Sequence, residues 1–247
     1  MESNNNINTT LNSFNNKVVD TINILNAKWN QRETIDVFEL ALDVLYFRNT
    51  DVFNSINILL KNKKINGAEL LLRPLYEGVI IFEWCLVAPE SRVLRFRRTS
   101  FEGMIALLEN GYLKNDKYDI NIYKEALDKL IANGFKNIPN IKQMLNDIKV
   151  FNRNTSYNFY RFLSKITHGV FENWGDFLNF KKNLKVQENN SLFDSRFYTC
   201  LSITLFLQFR NMKNFTEFDK YMFVDELNLL EEYYAFNVYP LLQQWNL

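Results

Sequence analysis

Only seven glycines and four prolines punctuate 247 residues, and that scarcity constrains the fold before any motif is read. Turns and strand ends draw mainly on Gly, Pro, Asn and Asp, so a chain poor in breakers is built from few, long elements. Between the breakers the apolar residues recur at helical spacing. Val18, Val19, Ile22 and Leu25 mark a first helix, and Val37, Phe38, Leu40, Ala41, Val44, Leu45 and Phe47 a second that runs on through Phe53, Ile56 and Leu60. Asn66-Gly67 separates it from a third, over about 68–87. Pro89-Glu90-Ser91 reads as a loop with capping character before a fourth that stops at Asn110-Gly111. A fifth covers about 120–132, and a short segment over about 141–151 follows Pro139. The run from Tyr157 to Thr167 is helical and ends at His168-Gly169, where glycine suits the left-handed position after a helix. An Asn/Lys-rich loop over about 179–191 precedes two closing helices, about 192–212 and 216–245.

No period-two alternation with turn chemistry appears, and no repeat. The expectation is therefore all-α: a multi-helix bundle of about seven to nine helices. A polar, disordered tail is expected over 1–14, and a single α-helical domain over 15–247.

Composition sets the outer bounds of function. Hydrophobic residues make up 47% of the chain, with 22 Phe and 12 Tyr, which supplies a large core. Twenty-nine basic residues face 28 acidic ones, so no global charge draws the protein to nucleic acid or membrane, and such binding needs a local patch. Cys85 and Cys200 both sit in apolar runs and read as reduced core residues. The first residues carry neither a basic nor an apolar leader region, and no apolar run is long enough to span a bilayer, so a cytoplasmic protein without membrane contact is expected. One histidine, His168, excludes any multi-histidine metal site within one chain. Walker-type loops, GxGxxG, CxxC and GxSxG are all missing, so no metal and no cofactor is expected.

Two constellations carry chemistry. In Tyr160-Arg161-Phe162-Leu163-Ser164-Lys165-Ile166-Thr167-His168, His168 stands seven positions after Arg161. At about 100° per residue that places them within about 20° of one another, two turns apart, with Ser164 between and Tyr160 bordering the stripe. An imidazole beside a guanidinium suits phosphodiester cleavage. The imidazole moves the proton and the guanidinium stabilises charge at phosphorus. The same residues also have a structural reading, in which His168 satisfies a helix C-terminus and Arg161 pairs with a neighbouring acid.

The second constellation is Arg73-Pro74-Leu75-Tyr76-Glu77, where Arg73 and Glu77 stand i, i+4 on one face. Pro74 inside a strong helical run removes one backbone bond and points to a kink beside a buried polar pocket. The alternative is a structural clamp between this helix and the one carrying Tyr160. Arg92, Arg95 and Arg98 recur every three residues as a candidate nucleic-acid-binding strip, with Lys181, Lys182 and Lys185 as a possible continuation. The other reading of the strip is a solvated face paired with Glu69, Glu83, Glu90 or Glu102.

Together, AELLLRPLYEGVIIFEWCLVAPESRVLRFRRTSFEG and YRFLSKITHG resemble a bacterial domain family of uncharacterised function, patterned as Arg-x-x-x-Glu and Tyr-x-x-Leu-Ser-x-x-x-His. The matched positions are Arg73, Glu77, Tyr160, Leu163, Ser164 and His168, and the resemblance covers about 35–175. The second motif also resembles the Arg-x4-6-His signature of HEPN domains, with Phe162 where HEPN nucleases commonly carry a polar residue. That resemblance implies a helical homodimer whose two copies of Arg161 and His168 face one cleft. It implies a metal-independent endoribonuclease of a bacterial anti-phage defence or toxin system, with RNA as substrate and a cognate antitoxin or defence-system protein as partner. Arg161, His168 and Ser164 would be catalytic, supported by Tyr160, Arg73 and Glu77. The competing expectation is a non-catalytic sensor or adaptor whose Arg/Glu/Ser/His cluster is structural or binds a ligand. A third reading, a carboxylate metal site at Glu69, Glu77 and Glu83, lacks the Glu-x-x-His pairs it needs.

Overall fold

In a computed structural model of the protein, the described residues are 37–62, 64–113 and 117–148, with shorter stretches and single positions within 13–27, 157–167 and 232–236. The expectations for 168–231, which include His168, the Asn/Lys-rich loop and its lysines, lie outside them.

Among the described residues all regular structure is helical. Helix α1, Val37–Lys61, buries Leu42, Leu45, Tyr46, Phe53 and Ile56, a three-to-four-residue spacing that turns one face to the core. It runs unbroken through Phe53 and Ile56 as the apolar period predicts. The chain reverses at residues 62–64, where the Lys64 amide donates to the Leu59 carbonyl at 2.8 Å. Helix α2, Ile65–Val87, follows at once. Asn66-Gly67, read from sequence as the break, lies inside its first turn, because the tight reversal before it has already turned the chain. Two close approaches set the pairing of α1 and α2: Leu59 lies against Gly67, and Asn49 against Gly78. The α1 position falls as the α2 position rises, so the helices are antiparallel.

α2 is the central element. It packs on α1, on α3 (Pro89–Glu109) and on the short α5 (Ile141–Asp147). Surrounded this way, it buries Leu72, Leu75, Tyr76, Val79, Ile80, Phe82, Trp84 and Cys85. Pro74 sits within it without ending it. Tertiary burial on both sides of the proline, at Leu72 and Leu75, offsets a cost of about 3 kcal/mol for an interior proline.

Pro89 opens α3 rather than standing in a loop before it. Its fixed φ and missing N–H suit a first helical residue, and Ala88 supplies the extended joint with φ −150°. α3 ends in a Schellman motif: Gly111, at φ 72°, donates to the Leu108 carbonyl, and Tyr112 donates to that of Leu107 at 2.9 Å. Helix α4, Ile120–Ala132, starts on an Asp119 cap and ends the same way at Gly134, φ 77°. α4 packs along α3 but buries no residue fully, so it forms the edge of the structure. α5 is opened by a reciprocal Asn140/Gln143 capping box and stops at Asp147, because Ile148 turns extended to enter the core.

Phe14, assigned by sequence to the end of the polar tail, is helical and fully buried, stacked on Tyr233 with ring centroids 6.2 Å apart. An aromatic ring of that size gains too much from burial to stay in a solvated tail. Positions 157, 158, 160, 161, 163, 164 and 167 are helical, and Leu163 joins the same core. No helix among the described residues is long and apolar enough to cross a membrane.

Candidate functional site

The two sequence constellations meet in space. On α2, Arg73 Nε donates to Glu77 Oε1 at 2.9 Å, the i, i+4 pair anticipated from spacing. The other end of the same guanidinium donates to the Tyr160 hydroxyl at 3.5 Å, a long bond at the edge of useful geometry. Arg73 Cζ also lies 5.7 Å from the Tyr160 ring centroid, so charge and ring attraction supplement that bond. Side-chain exposures of 21% for Arg73 and 31% for Glu77 leave the pair half-buried at the rim. Burial alone would lower the Arg73 pKa, but Glu77, then Tyr160, outweigh it and raise it, so the guanidinium is a permanent cation.

From Tyr160 the contacts continue outward. Its ring stacks with Tyr157 at 6.0 Å and 26°. Above Tyr157 stands Lys142 of α5, Nζ 5.5 Å from the ring centroid. Leu163, buried to 1% exposure, fixes the inner face of this helical segment. With Leu163 pointing inward, the 100° step per residue turns the next positions sideways. Arg161 is exposed and Ser164 half-buried. Thr167 Oγ1 donates back to the Leu163 carbonyl at 2.9 Å, which reinforces the last described turn. The structure thus brings Arg73, Glu77 and Tyr160 into contact and sets Arg161 and Ser164 on the adjoining face. His168, the remaining member of the stripe, lies outside the described residues.

Arg92, Arg95 and Arg98 form a different assembly. One Arg92 nitrogen donates to the Trp84 carbonyl at 2.8 Å and another lies 3.7 Å from Asp147 Oδ2, which also accepts from Trp84 Nε1 at 2.9 Å. Arg92 and Arg95 both lie against the Trp84 ring, at 4.8 and 5.1 Å. Arg95 donates twice to the Asn137 carbonyl, at 3.2 and 2.8 Å, and Arg98 donates to the Phe135 carbonyl and pairs with Glu102 at 3.2 Å. Thr99 Oγ1 accepts from the Ile138 amide, and Glu102 accepts from the Asn137 amide group at 2.7 Å. Arg95, Arg98, Thr99 and Glu102 of α3 therefore pin the segment 135–138, while Arg92 holds Trp84 and Asp147. The pairing with Glu102 is one of those anticipated for a structural strip.

Sequence reading missed Tyr157 and Lys142, and it missed Asn49. Tyr157 was legible, since it stands four residues before Arg161 and seven before Ser164 on the same helical stripe. Asn49 is a polar residue in core register with Leu42, Leu45, Tyr46 and Phe53. Lys142 carries no such signal, because only the fold brings α5 to the motif. Among the described residues no three His, Cys, Asp or Glu side chains come together as a metal site. The Cys85 thiol is pushed up to about 12 by burial, with Arg92 pulling the other way, so it is no nucleophile at neutral pH.

No curated protein and no solved structure matches the chain. Residues 39–187 match a family of unknown function, DUF5677, and the matched span contains Arg73, Glu77 and the whole run from Tyr157 to His168. That span is more than half of the chain: the protein belongs to the DUF5677 family of unknown function.

Proposed function

We propose that the protein is a HEPN-like, metal-independent endoribonuclease acting as the effector of a bacterial defence or toxin system. The observation that carries the reading is the Arg73–Tyr160 contact. It joins motifs 87 residues apart into one cluster and leaves Arg161 on the solvent side of it. Arg73, with donors already committed to Glu77 and Tyr160, is a supporting cation that holds the motif helix in place. Arg161, exposed and without a carboxylate within 4.0 Å among the described residues, is the phosphate-binding cation.

In this reading His168 takes the proton from a ribose 2′-hydroxyl, whose oxygen attacks the adjacent phosphorus. The bond to the 5′-oxygen breaks, and that oxygen leaves with a proton from an acid across the cleft. Arg161 stabilises the charge that builds on the non-bridging oxygens, and Ser164 donates a hydrogen bond beside it. One histidine per chain supplies one of the two proton-transfer groups, so a homodimer with two facing stripes supplies both. The Arg92, Arg95 and Arg98 row belongs to the framework in this assignment, and a cognate antitoxin or defence-system protein controls access to the cleft. The products carry a cyclic phosphate and a free 5′-hydroxyl.

The test is RNA cleavage by purified protein in EDTA, wild type against His168→Ala and Arg161→Ala, with folding checked by circular dichroism. Loss of cleavage in both folded variants, with cyclic-phosphate ends in the wild type, is the expected result. Ends bearing 5′-phosphate, or a requirement for a divalent ion, overturn the mechanism.

A second reading is favoured by one observation: the Arg73–Glu77–Tyr160 contacts are those of a clamp joining helices, as a non-catalytic sensor or adaptor would also need. Folded variants with wild-type behaviour in every RNA assay would select it.

A further inference from the structure

Beyond the catalytic stripe, the stack of rings leads to a cation that belongs to neither motif. Lys142 is exposed, and among the described residues no carboxylate lies within 4.0 Å of it. Two other described cations that contact α2 or α5 are occupied: Arg73 by Glu77 and Tyr160, Arg92 by Asp147 and the Trp84 carbonyl. Among the described residues, Lys142 is held by the face of Tyr157 alone. A cation–π contact at an exposed site is worth about 0.5–1 kcal/mol, enough to orient an ammonium and too little to compete with an anion that reaches it.

Tyr157 fixes where that ammonium stands relative to the proposed site. It is stacked on Tyr160 and lies one helical turn before Arg161 on the same stripe. Tyr157 is therefore a neighbour of both cations, of Lys142 of α5 by contact and of Arg161 by helical spacing.

We infer that Lys142 is a second phosphate-binding residue adjoining Arg161, and that the ligand is an oligoribonucleotide contacting the protein through at least two phosphates. The inference rests on the RNA reading above and adds a residue and a minimum ligand length to it. It also gives the half-buried Tyr157–Tyr160 pair a task, since it ties the spacing of the two phosphate contacts to the motif helix.

Counterion release makes the test specific. For single strands, log K falls with log salt at about 0.7 per neutralised phosphate. A short fluorescent 2′-O-methyl oligoribonucleotide, which lacks the attacking hydroxyl, reports binding by anisotropy across a salt series without being cleaved. The comparison is wild type, Lys142→Ala, Lys142→Arg and Lys129→Ala, a control that removes an exposed lysine from α4. The expected outcome is a slope about 0.7 smaller for Lys142→Ala, restored by Lys142→Arg and unchanged in Lys129→Ala. An unchanged slope in Lys142→Ala, or an equal fall in Lys129→Ala, overturns this inference and leaves the nuclease reading standing. Absence of any salt-dependent binding by the wild type overturns both.

Discussion

Replacing Gly78 by alanine tests whether α1 and α2 are registered as described, and with them the placement of the Arg73–Glu77 pair one residue away. The added Cβ lands on the Asn49 side-chain oxygen and stands 3.0 Å from Asn49 Cγ and 3.4 Å from Nδ2. Asn49 is only 2% exposed, so it has nowhere open to swing. Two effects oppose one another. Alanine in a helix interior gains about 0.8–1.0 kcal/mol over glycine from backbone entropy. Forcing one carbon into a filled interface costs about 1–3 kcal/mol, and disturbing a buried amide adds about 1–3 kcal/mol more. The clash wins, with a net loss of about 1–5 kcal/mol. For a chain of this size, each kcal/mol lowers the melting temperature by roughly 2–4 °C. Thermal unfolding followed by circular dichroism reads the loss. The Asn49→Ala/Gly78→Ala double variant then separates clash from cavity: with Asn49 trimmed, the methyl has room, and the two losses add to less than their sum. A Gly78→Ala protein as stable as the wild type, or a fully additive pair, refutes the register.

Two further predictions follow from side chains already placed. Arg73→Lys keeps the charge but cannot reach Glu77 and Tyr160 at once, so it should cost about 1–2 kcal/mol in urea unfolding; no loss would mean that the Tyr160 contact is idle. Burial raises Tyr46 to about 12, partly opposed by Thr50, and burial also raises Cys85 to about 12. Both therefore hold their protons more tightly folded than unfolded, where the ordinary values are 10.0 and 9.0. That stability is intact below about pH 9 and is lost as the pH rises toward 12. Melting temperatures should fall over this alkaline range, and Cys85→Ala should flatten the first part of the fall while lowering the whole curve. A slope that Cys85→Ala leaves untouched would place the thiol in water.

How much of this was legible follows from what each residue depends on. The long helices were readable because Leu42, Leu45, Phe53 and Ile56 obey a period set by the backbone alone. Arg73 with Glu77, and Arg161 with Ser164, were readable for the same reason: i, i+4 and i, i+3 are distances along one helix. Boundaries were harder where two local signals compete. Asn66-Gly67 has breaker chemistry, yet the reversal at 62–64 came first. Pro89-Glu90-Ser91 has loop composition, yet proline at the first helical position costs no hydrogen bond. Contacts across elements were not legible at all. Nothing in the sequence distance of 87 residues announces that Arg73 reaches Tyr160, and nothing in the local sequence of α5 announces that Lys142 stands over Tyr157. The arginines of α3 show the converse. Their spacing is legible as a strip, but that Arg92 donates to the Trp84 carbonyl, Arg95 to that of Asn137 and Arg98 to that of Phe135 is revealed only by the fold.

That contrast decides how cations should be assigned in a chain with nearly balanced charge. A guanidinium already donating to a carboxylate must give up that bond to hold a phosphate, and a charge-assisted bond is worth about 1.5–3 kcal/mol. Arg73 and Arg98 would incur that loss, whereas Arg161 has no carboxylate within 4.0 Å among the described residues to give up. The clamp and the nuclease are for this reason compatible descriptions of neighbouring residues rather than rivals for the same ones. In the nuclease proposed above, Arg73 serves catalysis indirectly: Glu77 immobilises it, and it holds Tyr160 and with Tyr160 the helix that carries Arg161 and Ser164. Removing Arg73 should then lower activity in proportion to lost order in the motif helix, while removing Arg161 should abolish it with the helix intact. Amide hydrogen exchange over residues 157–167, measured beside cleavage, separates the two. Equal exchange with unequal activity in the Arg73 variant would make that arginine a direct participant and overturn the division of labour argued here.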